Sequence, residues 1–164
     1  MASPDLVILE QDHTRFVQIL DRLRQESNAK LTFLIDKNGQ QLARSGELDG
    51  VDPTSLASLT AGNVAATDGL AQLIGEREFS ILFHEGERDN LHINVVGGKT
   101  VLLVRFDERS SLGLVRLRVK KATAELTPIL EEIAERVAAE RTPAAGGVSP
   151  FAEITDEDID ALFS

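Results

Sequence analysis

The 164-residue chain has no cysteine, no tryptophan and no tyrosine, and all seven of its aromatic residues are phenylalanine. Without cysteine there is no disulfide and no thiol chemistry, and cytoplasm is the default compartment. Without tryptophan or tyrosine a base-stacking platform for nucleic acid is not expected. Basic charge is also short: 17 Lys and Arg face 27 Asp and Glu, a net charge of −10. That balance argues against nucleic acid or an anionic membrane as the main partner. No apolar run is long enough to cross a bilayer, so no membrane insertion is expected. No basic stretch precedes an apolar run near the N-terminus, so no secretory signal is expected.

What is present suffices for one cored domain, with 42% of the residues apolar. The stretch Pro53–Gly75 stands out, because Asp68 is its one charged residue. Leu56, Leu59, Asn63, Ala66, Leu70, Leu73 and Ile74 recur at helical spacing and share one face. Ala57, Ala61, Ala65 and Gly69 form a second row, each four residues after the last. Small side chains at every turn let another backbone approach closely. A helix apolar or small on two faces differs from a surface helix, which is polar on one side. The reading is a helix that packs on its own sheet and turns the alanine–glycine row toward a partner. The alternative is a helix buried wholly within one domain.

In chain order, Asp12 is placed to cap a helix to about Glu26, with Phe16, Ile19, Leu20 and Leu23 on one face. Leu31 to Ile35 reads as a strand buried on both sides, and Asn38-Gly39 as a tight hairpin turn with both residues at positive φ. Gln40 to Arg44 is the return strand. The central helix starts at Pro53 or Thr54, and Gly75 suits its C-terminal cap. Ile81 to His84 is a third strand. Leu91, Ile93 and Val95 alternate with His92, Asn94 and Val96, which predicts a strand with one wetter face. Gly97-Gly98 turns the chain into Val101–Phe106, the expected central strand of an antiparallel meander. Val115, Val119, Ala122, Leu126, Ile129, Ile133 and Val137 predict a third helix, with a kink or restart at Pro128. The order α-β-β-α-β-β-β-α makes an α/β (α+β) sandwich around a five-stranded, mostly antiparallel sheet with helices on both faces.

That domain is read as residues 1–141. Residues 142–150, TPAAGGVSP, form a linker. Residues 151–164 are acidic and amphipathic. Thr155 and Asp158 make a capping-box pattern, Ile154 and Ile159 a hydrophobic staple. Ile159, Leu162 and Phe163 form an apolar stripe, each able to contribute about 1.5–3 kcal/mol on burial. So short a helix is marginal alone, so it docks on its own domain or folds in a partner's groove, and the linker favours the second.

No catalytic pattern completes itself. Gly98-Lys99-Thr100 resembles the end of a phosphate loop, but Ile93 stands where its first glycine belongs. His84-Glu85 opens a zinc-protease pattern that Arg88 breaks. Asp156, Asp158 and Asp160 have calcium-loop spacing, but Ala161 replaces the required glycine. His13, His84 and His92 share no ligand spacing, so no metal and no cofactor are expected. Arg116, Arg118, Lys120 and Lys121 make a basic helix face, solvated or set against an acidic protein surface.

Four stretches carry a resemblance: SLASLTAGNVAAT at Ser55–Thr67, FHEG at Phe83–Gly86, SLGLVRLR at Ser111–Arg118 and PFAEITDEDIDALF at Pro150–Phe163. With the element order, they resemble the MglB type of the Roadblock (dynein light chain) family. The resemblance implies a homodimer whose two sheets join edge to edge and whose central helices lie side by side. It implies one small Ras-like GTPase of MglA type, in its GTP form, per dimer. It also implies acceleration of GTP hydrolysis by moving the GTPase's own arginine and glutamine into place. Thr14, Arg15, Ala65 and Gly69 match the GTPase-facing positions; Phe151, Ile154, Ile159, Leu162 and Phe163 belong to the partner-binding C-terminal helix. No active site in this chain and enrichment at a cell pole, in control of polarity and motility, are further implications. The alternative is a Roadblock scaffold that binds a GTPase without stimulating it.

Overall fold

The computed structural model describes residues 6–141. They divide into two compact units, one spanning Ile8–Leu130 and a smaller one made of residues 6–7 with 131–141. The elements are α1 (Glu10–Ser27), β1 (Leu31–Asp36), β2 (Gln41–Gly46), α2 (Pro53–Leu73), β3 (Ile81–Glu85), β4 (Asn90–Val96), β5 (Thr100–Phe106) and α3 (Leu112–Arg141). Residues 142–164 lie outside the described residues, and with them the linker and the expected helix of Phe151, Ile154, Ile159, Leu162 and Phe163.

The five strands stand in the order β2-β1-β5-β4-β3, and every neighbouring pair is antiparallel. β5 is central, as its apolar run Val101–Val104 demands; all four residues are buried. Register places Leu31, Phe33 and Ile35 beside Val101 and Leu103, and these beside Ile93 and Val95. Ala57, Ala61 and Val64 of α2 complete that cluster. The other sheet face carries Thr32, whose hydroxyl donates to the Leu20 carbonyl of α1 at 2.9 Å, and Asn94, which donates to Thr123 Oγ1 of α3 at 3.0 Å. The sheet is thus sandwiched, with α2 on one side and α1 and α3 on the other.

α2 is bounded by local chemistry. Asp52 is its N-cap and accepts from the Ser55 N–H at 3.1 Å, with Pro53 at the first helical position. At the other end Gly75 takes φ +79°, which lets Glu76 N–H reach the Ala71 carbonyl at 2.8 Å and close a Schellman turn. Gly39, at φ +89°, brings the β1–β2 turn against α2: a Cβ there would lie 3.3 Å from the Ser58 backbone.

Several expectations are corrected. Asp12 does not cap α1 as its N-cap. Leu9 holds that position, and the Asp12 carboxylate, three residues on, accepts the Leu9 N–H at 2.9 Å. Only Gly39 of the Asn38-Gly39 pair has positive φ, because the Asp36 carboxylate accepts from both the Asn38 and Gln40 N–H groups and shapes the turn. The wetter face of β4 is not wet. His92, Asn94 and Val96 are all buried, since that face of the sheet carries the α1 and α3 helices. α3 is not restarted at Pro128, which sits within one helix on an exposed position. The missing N–H frees the Ala124 carbonyl, and Ala124 is also exposed, so water can satisfy it.

Candidate functional site

The predicted small row on α2 does not behave as one face. Ala57 and Ala61 are buried in the sheet cluster, while Ala65 and Gly69 are exposed. Helix geometry explains the split. Each step of four residues overshoots a turn by about 40°, so the row winds from the sheet into solvent within three steps. The outward flank is Ser58, Gly62, Ala65 and Gly69, all exposed. A Cβ added at Gly62 or Gly69 would meet nothing within 4 Å. Glycine inside a helix costs about 0.5–1 kcal/mol relative to alanine, and no intrachain contact here requires it.

Beside that flank runs a strip of large apolar side chains in water. Leu59 is 74% exposed, Leu70 58%, Leu73 83% and Ile74 66%. Contiguous apolar surface of this kind marks a place of contact. The strip borders β3, an edge strand with one neighbour, and Asn63 of α2 hydrogen-bonds His84 of β3 at 2.9 Å. The far end of the β3–β4 hairpin is moored by Asp89. Its carboxylate takes Lys30 Nζ at 2.9 Å and the Arg105 guanidinium at 2.6 Å. The hydrogen bond from Lys30 holds the Asp89 carboxyl below its ordinary range, and Asp89 in turn raises Lys30. Asp107, gripped by Arg109, is lowered to about 2.

Thr14 and Arg15 are exposed on α1, which lies on the sheet face opposite α2. Within one chain they are therefore not on the surface that carries Ala65 and Gly69. Between α1 and β2 lies a cavity of about 400 Å³, lined by His13, Val17, Phe33 and Gln41–Arg44. His84 is engaged by Asn63 and His13 is exposed. His92 is buried, and neither ring nitrogen has a hydrogen-bond partner. Among the described residues no three His, Cys, Asp or Glu side chains converge as a metal site, and no helix is long and apolar enough to cross a membrane.

Burial, with a smaller contribution from Arg116, lowers the pKa of His92 from 6.5. The unfolded chain therefore takes up that proton first, and stability must fall as pH drops from about 7 to 5. Urea unfolding across that range should show the loss in the native chain and a flatter profile in His92→Leu. Parallel profiles would mean that His92 keeps its ordinary pKa in the fold.

The Roadblock/LC7 domain matches residues 15–106. The chain belongs to the Roadblock/LC7 family. Among solved structures it is similar to MglB of Myxococcus xanthus, with 55% identity, 78% of this chain and 96% of that one covered, and a TM-score of 0.74. The gliding protein MglB of Thermus thermophilus is 37% identical, with 80% and 99% covered and a TM-score of 0.72. A structure described as MglB with tetrameric arrangement is 36% identical, with 80% and 99% covered and a TM-score of 0.73. No curated protein matches the chain. As a Roadblock/LC7 sheet, β2-β1-β5-β4-β3 leaves β3 as an open edge, with the apolar strip of α2 alongside.

Proposed function

We propose that this chain is an MglB-type regulator that binds a Ras-like small GTPase of MglA type and accelerates its GTP hydrolysis. The observation that carries the reading is 55% identity to Myxococcus xanthus MglB over 96% of that chain. The exposed surface of α2 supports it, with a flank of Ser58, Gly62, Ala65 and Gly69 beside Leu59, Leu70 and Leu73. Two copies pair through β3 and the leucine strip of α2. That pairing brings elements of two subunits to one GTPase, so Thr14 and Arg15 can act with Ala65 and Gly69 although a single chain separates them. No group of this chain takes part in the chemistry. The paired subunits favour the conformation in which the GTPase's own arginine and glutamine stand at the phosphate, which is a shift of population. The C-terminal residues Phe151, Ile154, Ile159, Leu162 and Phe163 add a second contact on the GTPase. The cellular role is control of polarity and motility from the cytoplasm at a cell pole.

The test is GTP hydrolysis by the cognate Ras-like protein with and without this chain. Acceleration by at least about tenfold is expected, a fall of about 1.4 kcal/mol in the barrier. Tight binding with unchanged turnover would make the chain a scaffold. Absence of binding would remove the GTPase from the account.

A further inference from the structure

The sheet face that carries α1 and α3 has a cationic trough of its own, away from the GTPase surface of α2. Its floor is the edge strand. Ile81 and Phe83 point to that face, are 47% and 37% exposed, and follow the register partners Asn94 and His92 of β4. Phe83 is not loose, because it stacks on the buried ring of Phe106 at 6.2 Å between centroids. Its wall is α3. Arg118 and Lys121 of that helix turn toward α1, where both reach Glu26. At 100° per residue, Arg116, Lys120 and Thr123 fall on the opposite flank, toward β3. One contact confirms the direction, since Thr123 bonds Asn94, the neighbour of Ile81; in keeping with it, the charge of Arg116 adds to the lowering of His92, the neighbour of Phe83.

Arg116 and Lys120 are exposed, and among the described residues no carboxylate engages either. From Leu112 to Ala124 the helix holds four basic residues and no acidic one, in a chain of net charge −10. Within β3 a single carboxylate, Glu85, stands on this face, at one end of the floor. Two cations that no described carboxylate engages, beside a fixed phenylalanine and an isoleucine, fit a ligand with apolar side chains on one face and carboxylates along its border. We propose that this trough between α3 and β3 is a docking site for an acidic amphipathic segment of a partner protein other than the GTPase.

The experiment uses the full chain and a fluorescein-labelled peptide of about fifteen residues, with Leu and Phe at i, i+3 and i+4 spacing and Asp or Glu elsewhere. Anisotropy should show saturable binding. Affinity should fall at least about tenfold in Arg116→Glu with Lys120→Glu, about threefold in the milder Arg116→Gln with Lys120→Gln, and also in Ile81→Ser. Glu47→Gln, at the sheet edge away from β3, should leave it unchanged, and so should saturating GTPase. No binding of the peptide overturns the proposal. So does equal binding by the charge-reversal variant, if its unfolding transition matches the native one. A change of oligomeric state in the Gln variant also overturns it, because the trough would then be occupied by a second copy. Displacement of the peptide by the GTPase would place both on one surface and overturn the separate site.

Discussion

Ala65→Arg with Gly69→Arg should reduce GTPase binding by at least about 100-fold, or about 2.7 kcal/mol, and return hydrolysis to the rate of the GTPase alone. Both positions are exposed, and a side chain at Gly69 meets nothing of its own chain within 4 Å. Arginine is a better helix former than glycine, so the subunit should lose no stability. The loss is therefore a property of the contact. Two guanidinium groups fill the space that a smooth flank leaves for another backbone, and each arrives hydrated. Isothermal titration with the GTP-loaded partner measures the affinity, and thermal unfolding checks the subunit. If the double variant binds within about twofold of the native chain, the GTPase sits elsewhere.

The second large effect concerns assembly. Leu70→Asp with Leu73→Asp should convert the proposed dimer to monomers in sedimentation and abolish the proposed stimulation of the GTPase as a result. Leu70 and Leu73 make no demand on the subunit's own core, since most of each side chain is in water. Surface changes of this kind usually alter folding by less than about 0.5 kcal/mol. Between two subunits the same carboxylates would lose water without gaining partners, at a cost of several kcal/mol. Dimers that persist would show that the helices do not lie side by side. The two variants should separate the two proposed surfaces: the arginine pair is expected to leave the dimer whole, and the aspartate pair to remove it.

Much of the fold was legible because its signals are local. Val101–Phe106 announced a central strand through an apolar run, and α3 announced its buried face through a seven-residue rhythm that Val115 to Val137 keep, with every member buried. What failed depended on long-range geometry. His92 and Asn94 look like solvent positions because they are polar, yet the helices on that face bury them, and nothing near them in sequence says so. The α2 row misled for a different reason. Four-residue spacing looks constant in text but rotates in space, so Ala57 and Ala61 went to the sheet and Ala65 and Gly69 to water. Leu59, Leu70 and Leu73 were visible as a set; their outward direction was not, because periodicity marks a face without saying which way it looks. Thr14 and Arg15 were reached through family resemblance, and no property of the two residues alone would single them out.

The mooring at Asp89 has a consequence for the outer strand. β3 leans on a single neighbouring strand, and its hairpin is tied down by cations from two separate places in the chain, Lys30 and Arg105. Partly exposed ionic contacts weaken as dissolved salt rises, whereas the apolar cluster under α2 does not. Ionic strength thus gains a hold on how firmly the open edge is aligned.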